Sequence, residues 1–403
     1  MVADGAQRLP DNWERKTVGD IVTFEYGKGL TQSKRDSNGK VPVYGSNGIV
    51  GYHSSALIDK PCLIVGRKGA AGAVHKSEIP CWPIDTTYYV IPPDNANLSF
   101  LYYLFSSLNF PSLDRSTAIP GLNRNDAYDV EIPFPPLPEQ ERIVSRIEEL
   151  FSDLDAGVAA LERVQIGLQR YKASVIKAAV EGKLFESKEA WNNDELPIGW
   201  QWSTVAELAA KEKNSITDGP FGSKLKTEHY QETGPRVIRL QNIGDIDFRD
   251  AMAHISQEHF ETLRKHQIFA GDLVIAGLGE SLPRACIIPE YVGDAIVKAD
   301  CIRFKPNQEL ADNKYLLYAL NSETIKKLVT KIVHGIGRPR MNQQEIKAIP
   351  IPLAPLDEQR RIVAEVERRL SVVGEVESAV DAGLVRAARL RQSVLRSAFE
   401  GRL

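Results

Sequence analysis

The chain contains one long element twice, and no other feature limits its fold so strongly. The first copy opens Pro136-Leu137-Pro138-Glu139-Gln140-Glu141-Arg142-Ile143-Val144. The second opens Pro355-Leu356-Asp357-Glu358-Gln359-Arg360-Arg361-Ile362-Val363, so Glu358 follows Glu139 by 219 positions. Ser174-Val175 and Glu181-Gly182-Lys183-Leu184 return at the same offset as Ser393-Val394 and Glu400-Gly401-Arg402-Leu403. No residue has been inserted between head and tail. A duplicated element of constant length divides a chain into halves, each of which must fold around its own copy.

Both copies read as helices. In the first, Leu150, Leu154, Gly157, Leu161, Val164, Leu168, Tyr171, Val175 and Ala178 recur in steps of four and three, a heptad seam. The second keeps a looser seam of Ile362, Val366, Val373, Val376, Val380, Ala387, Leu390 and Val394. Each starts after prolines with acidic residues facing the positive end of the helix dipole, and each ends on a glycine followed by a basic residue. At about 1.5 Å per residue such a helix runs roughly 70 Å. Two ordinary core helices are the simpler alternative. Duplication at opposite ends of the chain argues instead for two long helices packed on each other as a spacer.

The helices close two larger segments. One opens at Leu9-Pro10-Asp11-Asn12-Trp13 and the other at Leu196-Pro197-Ile198-Gly199-Trp200; they close on Ile132-Pro133-Phe134-Pro135 and Ile349-Pro350-Ile351-Pro352. The spaced prolines are expected to prevent strand pairing and to end each body. The openings lie 187 apart and the helices 219 apart, so the second body is longer by 32 residues. The boundaries follow: residues 1–137 form a first body, 138–184 a first helix, 185–195 a linker, 196–356 a second body and 357–403 a second helix. Within the bodies, 40–49, 52–66, 85–91, 235–241, 272–276 and 299–304 read as strands, and 98–108 and 313–328 as helices.

Composition excludes several classes. No run approaches the length of a membrane span and residues 1–7 lack the features of a signal peptide, so the expectation is a cytoplasmic protein without membrane contact. Cys62, Cys81, Cys286 and Cys301 form no Cys-x-x-Cys pair and read as reduced, mostly buried thiols, with no metal site. The first body carries 13 basic and 14 acidic residues and residues 185–356 carry 21 and 23, so neither is a basic domain and any nucleic-acid binding must use a local patch. There is no phosphate loop, no Gly-x-Gly-x-x-Gly, no nucleophile elbow and no Asn/Asp-Pro-Pro-aromatic motif of amino-methyltransferases. The seven histidines are scattered, and Asp94 lacks the carboxylate and lysine partners of a nuclease site. The expectation is a chain without catalysis of its own.

The Pro-Leu-x-Glu-Gln-x-x-Ile-Val opening, the Leu-Pro-x-x-Trp phrase and the Ile-Pro-x-Pro closure resemble the specificity (S) subunit of Type I restriction–modification systems over nearly the whole chain. Val43–Gly48, Gly66–Gly69 and Asp85-Thr86-Thr87 look like one type of target-recognition domain, and Asp218–Ser223 with Val237–Asn242 like another. The resemblance implies a mixed α/β fold. Two α/β target-recognition domains would be separated by two long α-helices in an antiparallel coiled coil, with an internal pseudo-two-fold repeat. Each body would read one half of a bipartite, asymmetric double-stranded DNA site, the halves falling about one helical turn, roughly 34–36 Å, apart. The helices would set that spacing and dock two methyltransferase (modification) subunits, with Glu139, Gln140, Glu358 and Gln359 as docking residues. Motor–nuclease (restriction) subunits would join. S-adenosylmethionine, ATP and magnesium would sit on those partners, and adenine methylation and ATP-dependent cleavage would be theirs, this chain binding no cofactor.

Base reading needs side chains that pair hydrogen bonds with base edges, and phosphate contact needs cations on glycine-rich turns. Lys28, Ser46, Asn47, Arg67 and Lys68 meet that description in the first body, and Ser223, Lys224, Arg239, Gln241, Asn242, Arg338 and Arg340 in the second. Structural alternatives stand beside several of them. Ser46-Asn47 is also a plain hairpin turn, Arg67-Lys68 a solvated tip, and Arg239 a strand residue suited to an internal ion pair. A coiled-coil adaptor that binds only proteins is the rival reading, favoured by the near-neutral bodies.

Overall fold

The computed structural model describes residues 9–36, 38–113, 120–185, 196–330 and 339–403. The chain forms two compact units, one of residues 1–163 with 380–403 and the other of residues 164–379. Two helices of 44 residues, Leu137–Val180 and Leu356–Phe399, contribute to both. Each begins one residue before the expected boundary and ends four before it. Pro136 and Pro355 stand just ahead of the first turn, their carbonyls accepting from Gln140 and Gln359 N–H. At the other end Gly182 and Gly401 both adopt φ +71°. Lys183 N–H reaches Ala178 O and Gly182 N–H reaches Ala179 O, and Arg402 and Gly401 repeat the pattern on Ser397 and Ala398. This is the Schellman stop, in which a left-handed glycine satisfies the last carbonyls. A Cβ on Gly182 would lie 2.2 Å from Pro197 Cγ, and one on Gly401 2.5 Å from Pro10 Cγ. Each helix therefore ends against the opening proline of a body.

In the first unit Glu14–Thr17 pairs antiparallel with Glu131–Phe134, so the strand that follows the opening phrase and the proline-spaced closure form a ribbon. The expectation that these prolines prevent pairing is corrected. A two-stranded ribbon has two outer edges, and proline is tolerated where no ladder bond is required of it. An antiparallel sheet runs Glu25–Tyr26, Thr87–Val90, Cys62–Gly66, Val74–Ser77; a second runs Gly48–His53, Val41–Gly45, Trp82–Pro83. The helix Leu98–Ser107, capped by the Asn97 side chain on Phe100 N–H, covers the first sheet. Phe24, Phe100, Phe105 and Phe110 fill the core, joined by Ile143, Ile147 and Phe151 of the first long helix and Leu395 and Phe399 of the second. The helices run antiparallel here: Asp155 pairs with Arg391, and Leu161 packs at Gly383.

The second unit repeats the plan. Gln201–Thr204 pairs with Pro350–Leu353, and an antiparallel sheet runs Ile216–Thr217, Cys301–Phe304, Leu273–Ala276, Arg284–Ile287. A further mixed sheet of His254–Ile255, Tyr230–Ile238, Ala295–Val297 and Gln267–Ile268 surrounds a separate small core of Leu225, Val237, Ile255, Phe260 and Ile296. The offset between equivalent residues rises from 192 at Gly27/Gly219 to 210 at Gly69/Gly279, so 18 of the 32 extra residues fall between those two positions. The helix expected over 313–328 is two, Asn313–Asn321 and Glu323–Thr330, because the Ser322 hydroxyl turns back to accept from Ile325 N–H. Val175, Ile176, Ala179 and Val180 pack with Ile362, Val363 and Val366, and Gln169 and Lys172 reach Glu377, again antiparallel.

The expected seams hold only in part. Val175, Ile362, Val366, Val373 and Val380 are buried, and Leu150, Leu154, Leu161, Leu168, Ala178, Ala387 and Val394 are half-buried. Gly157, Val164, Tyr171, Val376 and Leu390 are exposed. The most buried helical side chains are those that also face a body, such as Ile143, Ile147, Ala179 and Ala398. A helix that meets both a body and another helix buries a broader stripe than a two-helix seam alone provides. All four cysteines are buried, and burial pushes the Cys286 thiol up to about 12.

Candidate nucleic-acid interface

Four loops meet at one edge of the first body. Gly27 lies so close to Ile84 that a Cβ there would stand 2.2 Å from the Ile84 carbonyl oxygen. The next residue, Lys28, is exposed and fixed by its backbone: its N–H donates to Pro83 O and its carbonyl accepts from Trp82 Nε1. Ser46 and Asn47 are the two central residues of the tight hairpin between Gly45 and Gly48. The Ser46 carbonyl is 3.2 Å from His75 Nε2, and a Cβ on Gly69 would touch the Ser46 hydroxyl at 3.4 Å. Arg67 and Lys68 N–H both donate to Thr86 O, while Arg67 Nε and Nη2 donate to Asp85 O at 3.1 and 2.7 Å. The structure thus brings Lys28, Ser46, Asn47, Arg67 and Lys68 together around residues 82–86. Asn47 and Lys68 are exposed, Ser46 and Arg67 half-buried.

Sequence reasoning missed two residues at this edge. Tyr26 is 52% exposed, with the Arg67 guanidinium 5.3 Å and the Arg124 guanidinium 5.4 Å from its ring centroid. Arg124 lies 98 positions from Tyr26, and no motif or periodicity connects them.

The second body builds the equivalent edge with different residues. A Cβ on Gly219 would lie 2.0 Å from the Lys298 carbonyl carbon, as at Gly27. In the first body Gly69 N–H donates to Pro120 O, Leu122 N–H to Arg67 O, and Lys68 bridges Gly121. In the second, Gly279 N–H donates to Pro339 O, Met341 N–H to Gly277 O, and Leu278 bridges Arg340. The crossing is the same, yet the cation has changed strands, from Lys68 to Arg340. The Arg340 guanidinium lies 6.0 Å from the ring of Phe221, which is 51% exposed, and donates to Asp300 through Nε at 2.9 Å. Ser223 and Lys224 follow Phe221 in an exposed turn, where His259 Nε2 meets the Lys224 carbonyl at 2.9 Å. The Asp218 carboxyl, before Gly219, is pushed up to about 6 by burial, against the Gly219 N–H that it accepts and with the Asp300 charge adding to the rise.

Two candidates in the second body are placed otherwise. Asn242 is fully buried: its Oδ1 accepts from Arg239 N–H and its Nδ2 donates to Arg249 O and Ala251 O. It holds a loop and offers no surface to DNA. Arg239 turns its guanidinium onto the carbonyls of Ala251 and Met252, not onto a carboxylate, while its neighbour Gln241 is exposed. Arg338 lies outside the described residues.

The docking candidates divide as well. Glu139 is half-buried and receives the Arg142 guanidinium through two bonds of 2.8 Å, which holds its carboxyl below the usual range; Glu358 is half-buried. Gln140 and Gln359 are 0% exposed, contrary to a docking role. Gln140 Oε1 accepts from Asn97 N–H at 2.8 Å and Nε2 donates to Asn95 O and Pro135 O at 3.1 and 2.9 Å. Gln359 repeats this on Asp312 N–H, Leu310 O and Ala354 O. The motif glutamine ties the start of each long helix to its body. A flexible amide is buried only where all its polar groups are satisfied.

Among the described residues no group of three or more His, Cys, Asp or Glu side chains is placed to hold a metal ion. No described helix is long and apolar enough to cross a membrane.

Comparison with known proteins agrees with this architecture. The family model for the Type I restriction modification DNA specificity domain matches residues 10–163 and 179–368. The Type I restriction enzyme EcoDI specificity subunit of Escherichia coli is 24% identical, the match covering 99% of this chain and 90% of that one. The MjaVIII specificity subunit of Methanocaldococcus jannaschii is 23% identical, over 92% and 88%. Among solved structures, a chain from work on assembly and conformational transition of the type I R-M system superposes with a TM-score of 0.69 at 19% identity, covering 98% of this chain and all of that one. The HsdS subunit from Thermoanaerobacter tengcongensis gives 0.53 at 20% identity, covering 99% of each. At these identities the structures speak for the fold, whereas the family match spans most of the sequence: this chain belongs to the specificity-subunit family of Type I restriction–modification systems.

Proposed function

We propose that this specificity subunit gives a Type I restriction–modification complex its DNA address, each body reading one half of a bipartite, asymmetric double-stranded site. The observation that carries the reading is the pair of equivalent loop edges. Both keep the close glycine and the crossing strands, and both display an arginine on a half-exposed aromatic ring. The frame is shared and the side chains that would meet DNA differ. Such an arrangement suits two readers of different half-sites, since base edges are discriminated by side-chain hydrogen bonds while a common scaffold fixes the approach.

The long helices set the spacing of the half-sites and dock two methyltransferase subunits, which carry S-adenosylmethionine and methylate adenine. Exposed apolar side chains along both helices, among them Val164, Ile166, Tyr171, Val372, Val385 and Leu390, support a protein partner there. Glu139 and Glu358 remain candidates for that surface. Motor–nuclease subunits with ATP and magnesium complete the complex. Catalysis belongs to those subunits and not to this chain.

The test is methylome sequencing of a host expressing this chain with its methyltransferase subunit, against the same host lacking this chain. A bipartite adenine-methylated motif that disappears with the deletion is the expected result. Unchanged methylation would move the protein-binding adaptor ahead.

A further inference from the structure

The Tyr26 cluster is built in an unusual way for an exposed surface. Two guanidiniums, Arg67 and Arg124, stand at 5.3 and 5.4 Å from one ring centroid, so they lie no more than about 10.7 Å from each other. Among the described residues neither has a carboxylate within ion-pair distance. Arg67 spends Nε and Nη2 on the Asp85 carbonyl, and among the described residues Arg124 donates to the Phe24 carbonyl alone, at 3.5 Å. Arg124 also lies 5.9 Å from the Tyr128 ring, and Tyr88 packs against Tyr26 at 5.2 Å. Two like charges are thus held side by side by ring quadrupoles and carbonyls, which orient a cation without neutralising it. Among the described residues of the second body, the exposed Arg340, Arg264 and Arg249 pair with Asp300, Glu261 and Asp247, whereas the half-buried Arg239 and Arg284 rest on carbonyls as Arg67 and Arg124 do.

We propose that Arg67 and Arg124, positioned by Tyr26, form the phosphate-anchoring site of the first body, contacting the DNA backbone and not base edges. The inference rests on the DNA-reading function proposed above. Two features select the backbone. The Nε–Nη2 edge of Arg67, which would match a guanine bidentately, is already occupied by Asp85 O. Duplex DNA carries one charge per about 1.7 Å of axis, so two cations this close face several phosphates at once. Tyr26 is a positioning residue: its ring holds both guanidiniums beside it at this edge.

The experiment uses the complex of this chain with its methyltransferase subunit and a duplex carrying the methylated motif, with dissociation constants measured from 50 to 200 mM salt. Arg124→Gln and Arg67→Gln should each remove one phosphate contact. The affinity lost across that fourfold salt range should then shrink by about 3.5-fold per variant, with the preference among altered sites unchanged. Arg124→Lys keeps the charge and should keep the wild-type slope, which separates loss of the contact from loss of the fold. Tyr26→Leu should weaken binding to every site alike. An unchanged salt slope overturns the proposal. So does a Gln variant whose methylated motif becomes degenerate at one position, or a Lys variant that behaves as Gln. If instead the wild-type complex shows no site preference, it is the DNA-reading function that fails, and this assignment falls with it.

Discussion

Replacing Gln140 by leucine asks what the motif glutamine does. The two side chains are similar in volume, so packing changes little, but three hydrogen bonds disappear. Asn95 is exposed and its carbonyl can take water instead. The part-buried Asn97 N–H and the buried Pro135 carbonyl lose their partner, and each group left so costs about 1–3 kcal/mol. Allowing for the apolar gain of leucine, the junction between body and helix should weaken by about 2–4 kcal/mol. Gln359→Leu strips an equivalent set, Asp312 N–H and the carbonyls of Leu310 and Ala354, and should show an effect of the same size. Hydrogen exchange read by mass spectrometry on peptides covering Asn97 and Asp312 reports that local opening; 2–4 kcal/mol corresponds to exchange about 30- to 1,000-fold faster. Each variant should accelerate only its own peptide. If both variants kept wild-type protection and lost methyltransferase binding, the burial argument would be wrong and the glutamines would be docking residues after all.

Other perturbations separate local causes. Gly182→Ala and Gly401→Ala must place a Cβ in the left-handed region and 2.2 or 2.5 Å from a proline ring, so each should cost more than the roughly 1 kcal/mol of Gly271→Ala, where φ is +84° and the space is open; thermal unfolding ranks them. Gly157→Ala, mid-helix with nothing within 4 Å of the new Cβ, should stabilise by about 0.8–1 kcal/mol in the same assay. Asp218 has a folded pKa raised to about 6 from 3.8, so its contribution is full below 3.8 and is lost as pH rises through 6; Asp218→Asn should match wild type in urea unfolding at pH 4 and exceed it at pH 7. Asp272→Ala leaves the buried Arg303 guanidinium without its 2.6 Å partner and should destabilise the second unit by about 3–5 kcal/mol, whereas Asp155→Ala breaks an exposed pair with Arg391 and should change stability by less than about 1 kcal/mol.

The sequence by itself determined the frame. The 219-residue offset located both helices to within a few residues, because prolines, acidic first turns and a left-handed glycine act through the chain's own nearest neighbours. The doubled body was legible for the same reason: a repeat is a property of the string. What side chains do across the fold was not. Gln140 stood in a motif that looked like a surface signature, yet its partners lie 43 and 45 positions away, and only their arrival decides that it is buried. Asn242 looked like a base reader until Arg249 and Ala251 folded over it. The closing prolines looked like strand breakers until an outer edge accepted them. Tyr26, Arg67 and Arg124 share no spacing that a periodicity could reveal, and they become one site only because three separate segments, the end of a strand, a turn and the start of a helix, meet at the same edge. Local stereochemistry acts over a few residues and is written in order along the chain, whereas burial and charge depend on which distant segments become neighbours, and that is settled only when the core closes.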